Sequence, residues 1–112
     1  RNGRKEKEAN WKSGLQDGLL TLWFETGPKK GEENWRKGER DGFATSWYEN
    51  GRKQSASNWK AGKLLSVNVW EPNGKRCEVS FVREGNGVWV EYFNGGSENF
   101  RLIFKDGVKV EN

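Results

Sequence analysis

The sequence predicts an all-β protein: an elongated, single-layer antiparallel meander of tandem β-hairpins in an open-ended, solenoid-like sheet. Three observations predict it. First, residues recur every 24 positions, as Trp11, Trp35 and Trp59, as Gly14, Gly38 and Gly62, and as the Gly of a turn dipeptide at Gly3, Gly27 and Gly51. A period in this range marks a repeat architecture, in which each unit buries its apolar face against its neighbours. Second, the apolar runs, such as LLTLWFE and FATSWYE, are too short for helices and are bounded by turn residues. Third, apolar residues nowhere keep helical spacing for three turns, whereas 15 Gly and the β-favouring aromatics suit strands joined by tight turns.

The repeats divide residues 1–112, one domain, into units at about 2–25, 26–49, 50–72, 73–93 and 94–112, the last partial and capping. Each unit opens on an NG-type dipeptide (Asn2-Gly3, Thr26-Gly27, Asn50-Gly51, Asn73-Gly74), read as a type I′ turn because that turn needs φ > 0 at both positions. A charged strand follows and ends on Trp11, Trp35 or Trp59. A Gly-containing connection comes next: KSGLQDG, RKGERDG or KAGKLLS. The unit closes on an aromatic strand. Period-two alternation puts Thr21 and Trp23 on one face and Leu20, Leu22 and Phe24 on the other. It likewise sets Phe43, Thr45 and Trp47 against Ala44, Ser46 and Tyr48. The columns Trp11/Trp35/Trp59 and Trp23/Trp47/Trp70 are expected to stack from unit to unit. Pro28 and Pro72 sit beside turns, where a missing N–H is tolerated. The chain begins inside a unit and without Met, and is expected to be a segment of a longer array or a mature or trimmed piece.

The net charge of +4 arises from 20 basic and 16 acidic residues interleaved along the strands, as in KEKE and KKGEE. Interleaving of this kind solubilises an exposed strand face and blunts sheet edges. It argues against a nucleic-acid groove and leaves membrane contact weak at most. The single Cys77 has no disulfide partner within the chain and, in alternation with Val79 and Phe81, is expected to be a small buried hydrophobe. No apolar run approaches the length of a membrane-spanning helix. Histidine is absent, which removes the commonest general base and metal ligand. Carboxylate pairs such as Glu32/Glu33 lie among lysines and read as solvated charges. No catalytic residue, metal site or cofactor is therefore assigned, and the chain is read as not an enzyme.

The segments WFETGPKKGEENWRKGERDG and WYENGRKQSASNWKAGKL resemble the MORN-repeat superfamily, and more closely its bacterial variant: aromatic–aromatic–Glu–Asn–Gly, a basic stretch, an aromatic, then Lys-x-Gly. The resemblance covers residues 2–72 strongly and 73–112 weakly. Thr26, Ser66, Pro72 and Val82 depart from the pattern. It implies a trough-like sheet of successive hairpins that acts as a scaffold, binding protein partners, dimerising or sitting near membranes. Some bacterial chains of the variant carry an antitoxin designation, and an antitoxin-like role is accordingly one alternative.

From the residues themselves, the leading function is a non-enzymatic scaffold for protein–protein interaction. Trp23, Phe24, Trp47, Tyr48 and Trp70 form its candidate binding face, since aromatics left exposed on one side of a sheet make an interaction patch. Packing between units accounts for the same residues without a ligand. Open sheet edges permit self-association. A carbohydrate- or cell-wall-binding module is the other alternative, because Trp and Tyr faces stack on sugar rings. The compartment is not legible in the sequence.

Overall fold

The computed structural model describes residues 6–110, the side chain of Val79 excepted. The turn predicted at Asn2-Gly3 lies outside the described residues. The elements are β1 (Lys7–Glu8), β2 (Trp11–Lys12), β3 (Leu15–Gln16), β4 (Gly18–Trp23), β5 (Lys29–Arg36) and β6 (Glu39–Trp47), followed by β7 (Lys53–Lys60), β8 (Lys63–Trp70), β9 (Arg76–Arg83), β10 (Asn86–Tyr92), β11 (Glu98–Lys105) and β12 (Val108–Val110). There is no helix among the described residues. Ten strands form one antiparallel sheet in the order β1-β4-β5-β6-β7-β8-β9-β10-β11-β12, and β2 pairs with β3 alone. The predicted all-β antiparallel meander is thus present, and the sheet does not close into a barrel.

The turns at the two ends of the strands differ in kind. At one end both central residues have positive φ: Ser13-Gly14, Lys37-Gly38, Ala61-Gly62, Glu84-Gly85 and Asp106-Gly107, with φ near 50° and then near 83°. These are the type I′ turns, whose backbone twist matches that of the flanking strands. At the other end only the Gly is left-handed, at Gly27, Gly51, Gly74 and Gly96. Gly51 N donates to Tyr48 O at 2.9 Å and Tyr48 N to Arg52 O at 2.8 Å, and the same pair of bonds recurs at Phe24, Glu71 and Phe93. Each is a three-residue loop that closes on a left-handed Gly. The type I′ geometry expected at the NG dipeptides therefore sits in the Gly connections instead. The reason is local chemistry: the Asn50 and Asn73 side chains accept the N–H of Arg52 and Lys75 at 2.8 Å, an Asx turn that holds Asn in an ordinary conformation.

The sheet curls. Trp59 on β7 and Trp89 on β10 lie three strands apart in the sheet order, yet their ring centroids are 6.3 Å apart. Three flat inter-strand steps would place them ~14 Å apart. The curl is tightest where three turns meet. Leu64 N donates to Gly107 O at 3.0 Å, Gly107 N to Gly85 O at 2.9 Å and Gly85 N to Leu65 O at 2.9 Å. A Cβ on Gly85 would sit 2.6 Å from Gly107 N, and one on Gly107 would sit 2.8 Å from the Lys63 Cβ. Backbones approach this closely only at glycine. The molecule measures 39 × 35 × 22 Å, with two nearly equal long axes.

Curling creates the core. Leu64, Val67, Val69, Cys77, Val82 and Phe104 are buried together, with Trp59, Trp89, Tyr92 and Leu102 packed against them. The apolar positions of β8 and β9 supply most of it, which fits the rise in aliphatics where the repeat pattern weakens. Cys77 is a buried free thiol, in contact with the Tyr92 hydroxyl at 3.1 Å. The alternation read through Phe81 does not hold. The register between β8 and β9 shifts, and Ser80 and Val82 turn inward while Phe81 is 38% exposed beneath Arg83.

Candidate binding cleft

The concave face of the curled sheet holds a cleft of about 550 Å³, walled on one side by β5–β7 and on the other by β10–β12. Its floor is apolar and comes from distant parts of the chain: Trp59, Trp89, Phe100, Leu102 and Phe104. Trp89 bridges the two walls, with its ring 6.3 Å from Trp59 and 6.1 Å from Phe104. This is within the size range of small-ligand sites, which join an apolar lining to a few placed polar groups.

The polar groups are set by strand periodicity. Residues two apart share a face, and each Trp of the concave side uses that neighbour as an acceptor for its indole N–H. Trp35 Nε1 donates to Glu33 Oε1, Trp59 Nε1 to Ser57 Oγ and Trp89 Nε1 to Glu91 Oε2, all at 2.9 Å. The indoles are thereby fixed in plane, with their N–H groups satisfied.

Arg40 on β6 reaches Trp35 on β5 and Trp59 on β7. Its guanidinium donates to Glu33 at 3.3 and 3.4 Å and lies 5.3 Å from the Trp35 ring and 5.0 Å from the Trp59 ring. A cation over both rings is how Trp35 and Trp59 are connected, rather than by the direct column stacking expected from their spacing. Trp11 is 65% exposed at the edge of the molecule.

Glu91 is the second carboxylate of the cleft. Burial pushes its pKa up, and hydrogen bonds from Trp89 and Ser55 oppose that shift without cancelling it. Ser55 is itself buried and shares a 2.6 Å hydrogen bond with Ser46. Gln54 Nε2 donates to Tyr92 O at 3.1 Å and partitions this cleft from a smaller one of about 170 Å³, since Gln54 lines both. Beyond the partition Glu49 N donates to Asn94 Oδ1 at 3.0 Å, and Asn94 Nδ2 donates to Glu49 Oε1 at 3.3 Å.

The candidate face read from the sequence is dispersed. Phe24 and Trp47 both line the smaller cleft, and Lys30 lies 5.8 Å over the Phe24 ring. Trp70 lies apart from them under Lys53, at 5.5 Å, beside Arg52 and Gly74. Trp23 is half-buried at the bulge opposite Lys29. Tyr48 is 1% exposed and donates its hydroxyl to Trp70 O at 2.5 Å, so it belongs to the interior. The residues of the larger cleft that the sequence left unassigned are Glu33, Arg40, Trp89, Glu91 and the β11 aromatics. One signal pointed to them: an acceptor two positions from Trp in EENW, SASNW and VWVE.

No group of three or more acidic, Cys or His side chains suited to a metal occurs among the described residues. Among the described residues no helix is long and apolar enough to cross a membrane. Comparison with family models, curated proteins and solved structures finds no match.

Proposed function

We propose that the chain is a non-enzymatic binding module: a MORN-like scaffold of tandem hairpins laid out as an open, solenoid-like sheet, which receives its partner in the concave cleft. Support for the repeat comes from the five type I′ turns, which follow one another at positions 13, 37, 61, 84 and 106, close to the sequence period. Equivalent staples add to it, with Lys37 N donating to Asp17 Oδ2 and Ala61 N to Asp41 Oδ2. One observation carries the binding assignment: the curl brings Trp59 and Trp89 together over a cleft that also presents Glu33, Arg40 and Glu91. The outer face offers less. Leu19 and Phe43 are exposed there with Asn34 and Asn58 paired beside them, while Phe81, Val88, Ile103 and Val110 are cross-strand neighbours in one apolar row. That row lacks the concave enclosure and the placed polar groups that the cleft adds to its apolar lining.

The seven Trp give seven indole signals in a proton–nitrogen correlation spectrum. A library of small aromatic acids, amides, short peptides and sugars is expected to shift the Trp59 and Trp89 signals together, in the wild type and in Phe43→Ala alike. Shifts confined to the outer face around Phe43 and Phe81 would contradict the proposal.

A further inference from the structure

The cleft has features that select among ligands. It is bounded by the Gly62 and Gly107 turns, with the Leu64–Gly107 bond behind them, and by Gln54, which bonds Tyr92 O. A cleft of about 550 Å³ with these bounds suits a compact ligand better than a long polymer. The charged side chains on the lining also balance, with Glu33 and Glu91 against Arg40 and Lys109. A cationic ligand meets the two cations and an anionic one the two carboxylates, so a neutral ligand is preferred.

Two details add chemistry. The indole N–H groups of Trp59 and Trp89 are already engaged and Arg40 lies 5.0 Å from the Trp59 ring, which leaves the ring surface not covered by that cation as what those residues offer. Glu91 accepts from the Trp89 indole and the Ser55 hydroxyl. A carboxylate has about four acceptor positions, so it keeps capacity for donors from a ligand. Gln54 and Ser57 add an amide and a hydroxyl to the same lining. A ligand with an apolar C–H face and a rim of neutral hydroxyls satisfies all of this at once.

Resting on the cleft as the binding surface, we propose that its occupant is a short neutral saccharide, seated with a ring face on the Trp59–Trp89 floor and donating hydroxyls to Glu91. No bond is made or broken in this assignment.

The test is titration of the whole chain with maltose, cellobiose and N,N′-diacetylchitobiose, followed by the indole signals. At least one disaccharide is expected to move Trp59 and Trp89 saturably. Glu91→Gln, which keeps the shape of the side chain, is expected to weaken binding about tenfold while the spectrum stays dispersed. Phe43→Ala is expected to bind as the wild type does. The assignment is overturned if no disaccharide moves these signals at high millimolar concentration, or if a lysine-rich or glutamate-rich tetrapeptide moves them where sugars do not. The two proposals fail separately. Small probes that reach the cleft while sugars do not would leave the binding module standing and remove the saccharide. Cleavage of a bound disaccharide would keep the saccharide and remove the non-enzymatic assignment.

Discussion

Tyr48 and Tyr92 are the only tyrosines in the chain, and both are held in their protonated form. Burial pushes Tyr48 from 10.0 to about 12, with the Glu91 charge adding to it, while Tyr92 reaches about 12 chiefly through its hydrogen bond to Cys77. The folded chain binds these protons more tightly than the unfolded one. Their contribution to stability is therefore complete below the unfolded value of 10.0 and is lost as pH rises through about 12. A spectrophotometric titration is expected to show phenolate appearing around the higher value in the native protein and around the lower one in denaturant. Glu91 has the same sign on the acid side. Its raised pKa means that the ionised carboxylate is disfavoured by folding, and the cost is present once pH has risen through its folded value. Glu91→Gln is expected to stabilise the fold by about 0.5–1 kcal/mol at neutral pH. Denaturant melts across the acid range should show that gain shrinking as the wild-type carboxyl protonates. A gain unchanged at low pH would separate the effect from the charge. At this scale the sequence was half legible. It placed Tyr48 and Trp47 on opposite faces, but alternation does not say which face turns inward. The bulge between Ser46 and Trp47 breaks that alternation, so that Tyr48 is buried while Trp47 lines the smaller cleft.

Strands were the most legible elements, because LLTLWFE and FATSWYE carry their own alternation and their own stops; the first became β4 within two residues at each end, and the second became the later part of β6, which starts four residues earlier at Glu39. The turns were legible in position and reversed in type. Both ends of each hairpin carry a Gly, and the NG preference for two positive-φ residues competes with the Asx turn that lets Asn50 and Asn73 stay in the ordinary region. The I′ positions instead hold Ser13, Lys37, Ala61 and Glu84, residues with little signal of their own for that conformation, and Asp106, whose Asp-Gly pair does carry it. The register shift in β9 was not legible either, and it moves Ser80 and Val82 into the core in place of Phe81. Backbone geometry at this scale gives a paired prediction. Gly87 has φ 144°, and a Cβ there would lie 1.9 Å from Phe81 O, whereas Gly95 has open space around it. Gly87→Ala is expected to cost about 1–3 kcal/mol from backbone strain alone, with the clash adding to it. Gly95→Ala is expected to stay within about 0.5 kcal/mol of wild type. Equal melting of the two variants would count against the close pairing of β9 and β10.

At the scale of the molecule, the repeat period predicts neighbours and is silent on distant contacts. The curl depends on pairs remote in sequence: Trp59 with Trp89, Leu64 with Gly107, Glu49 with Asn94 and Gln54 with Tyr92. Its only advance sign was the change from polar to aliphatic residues in LLSVNVW, which becomes β8 and supplies Leu64, Val67 and Val69 to the core. The cleft inherits that limit. Each of its side chains was visible in the sequence, but their meeting was not, because it follows from the bend of the sheet and not from the composition of any strand. Everything assigned to the cleft therefore depends on β7 facing β10 across it. The most direct measurement is a nuclear Overhauser contact between the Trp59 and Trp89 ring protons. The curled sheet predicts a clear cross-peak from rings whose centroids are 6.3 Å apart. A flat ribbon, with the same strands ~14 Å apart, predicts none, and its absence would contradict the account.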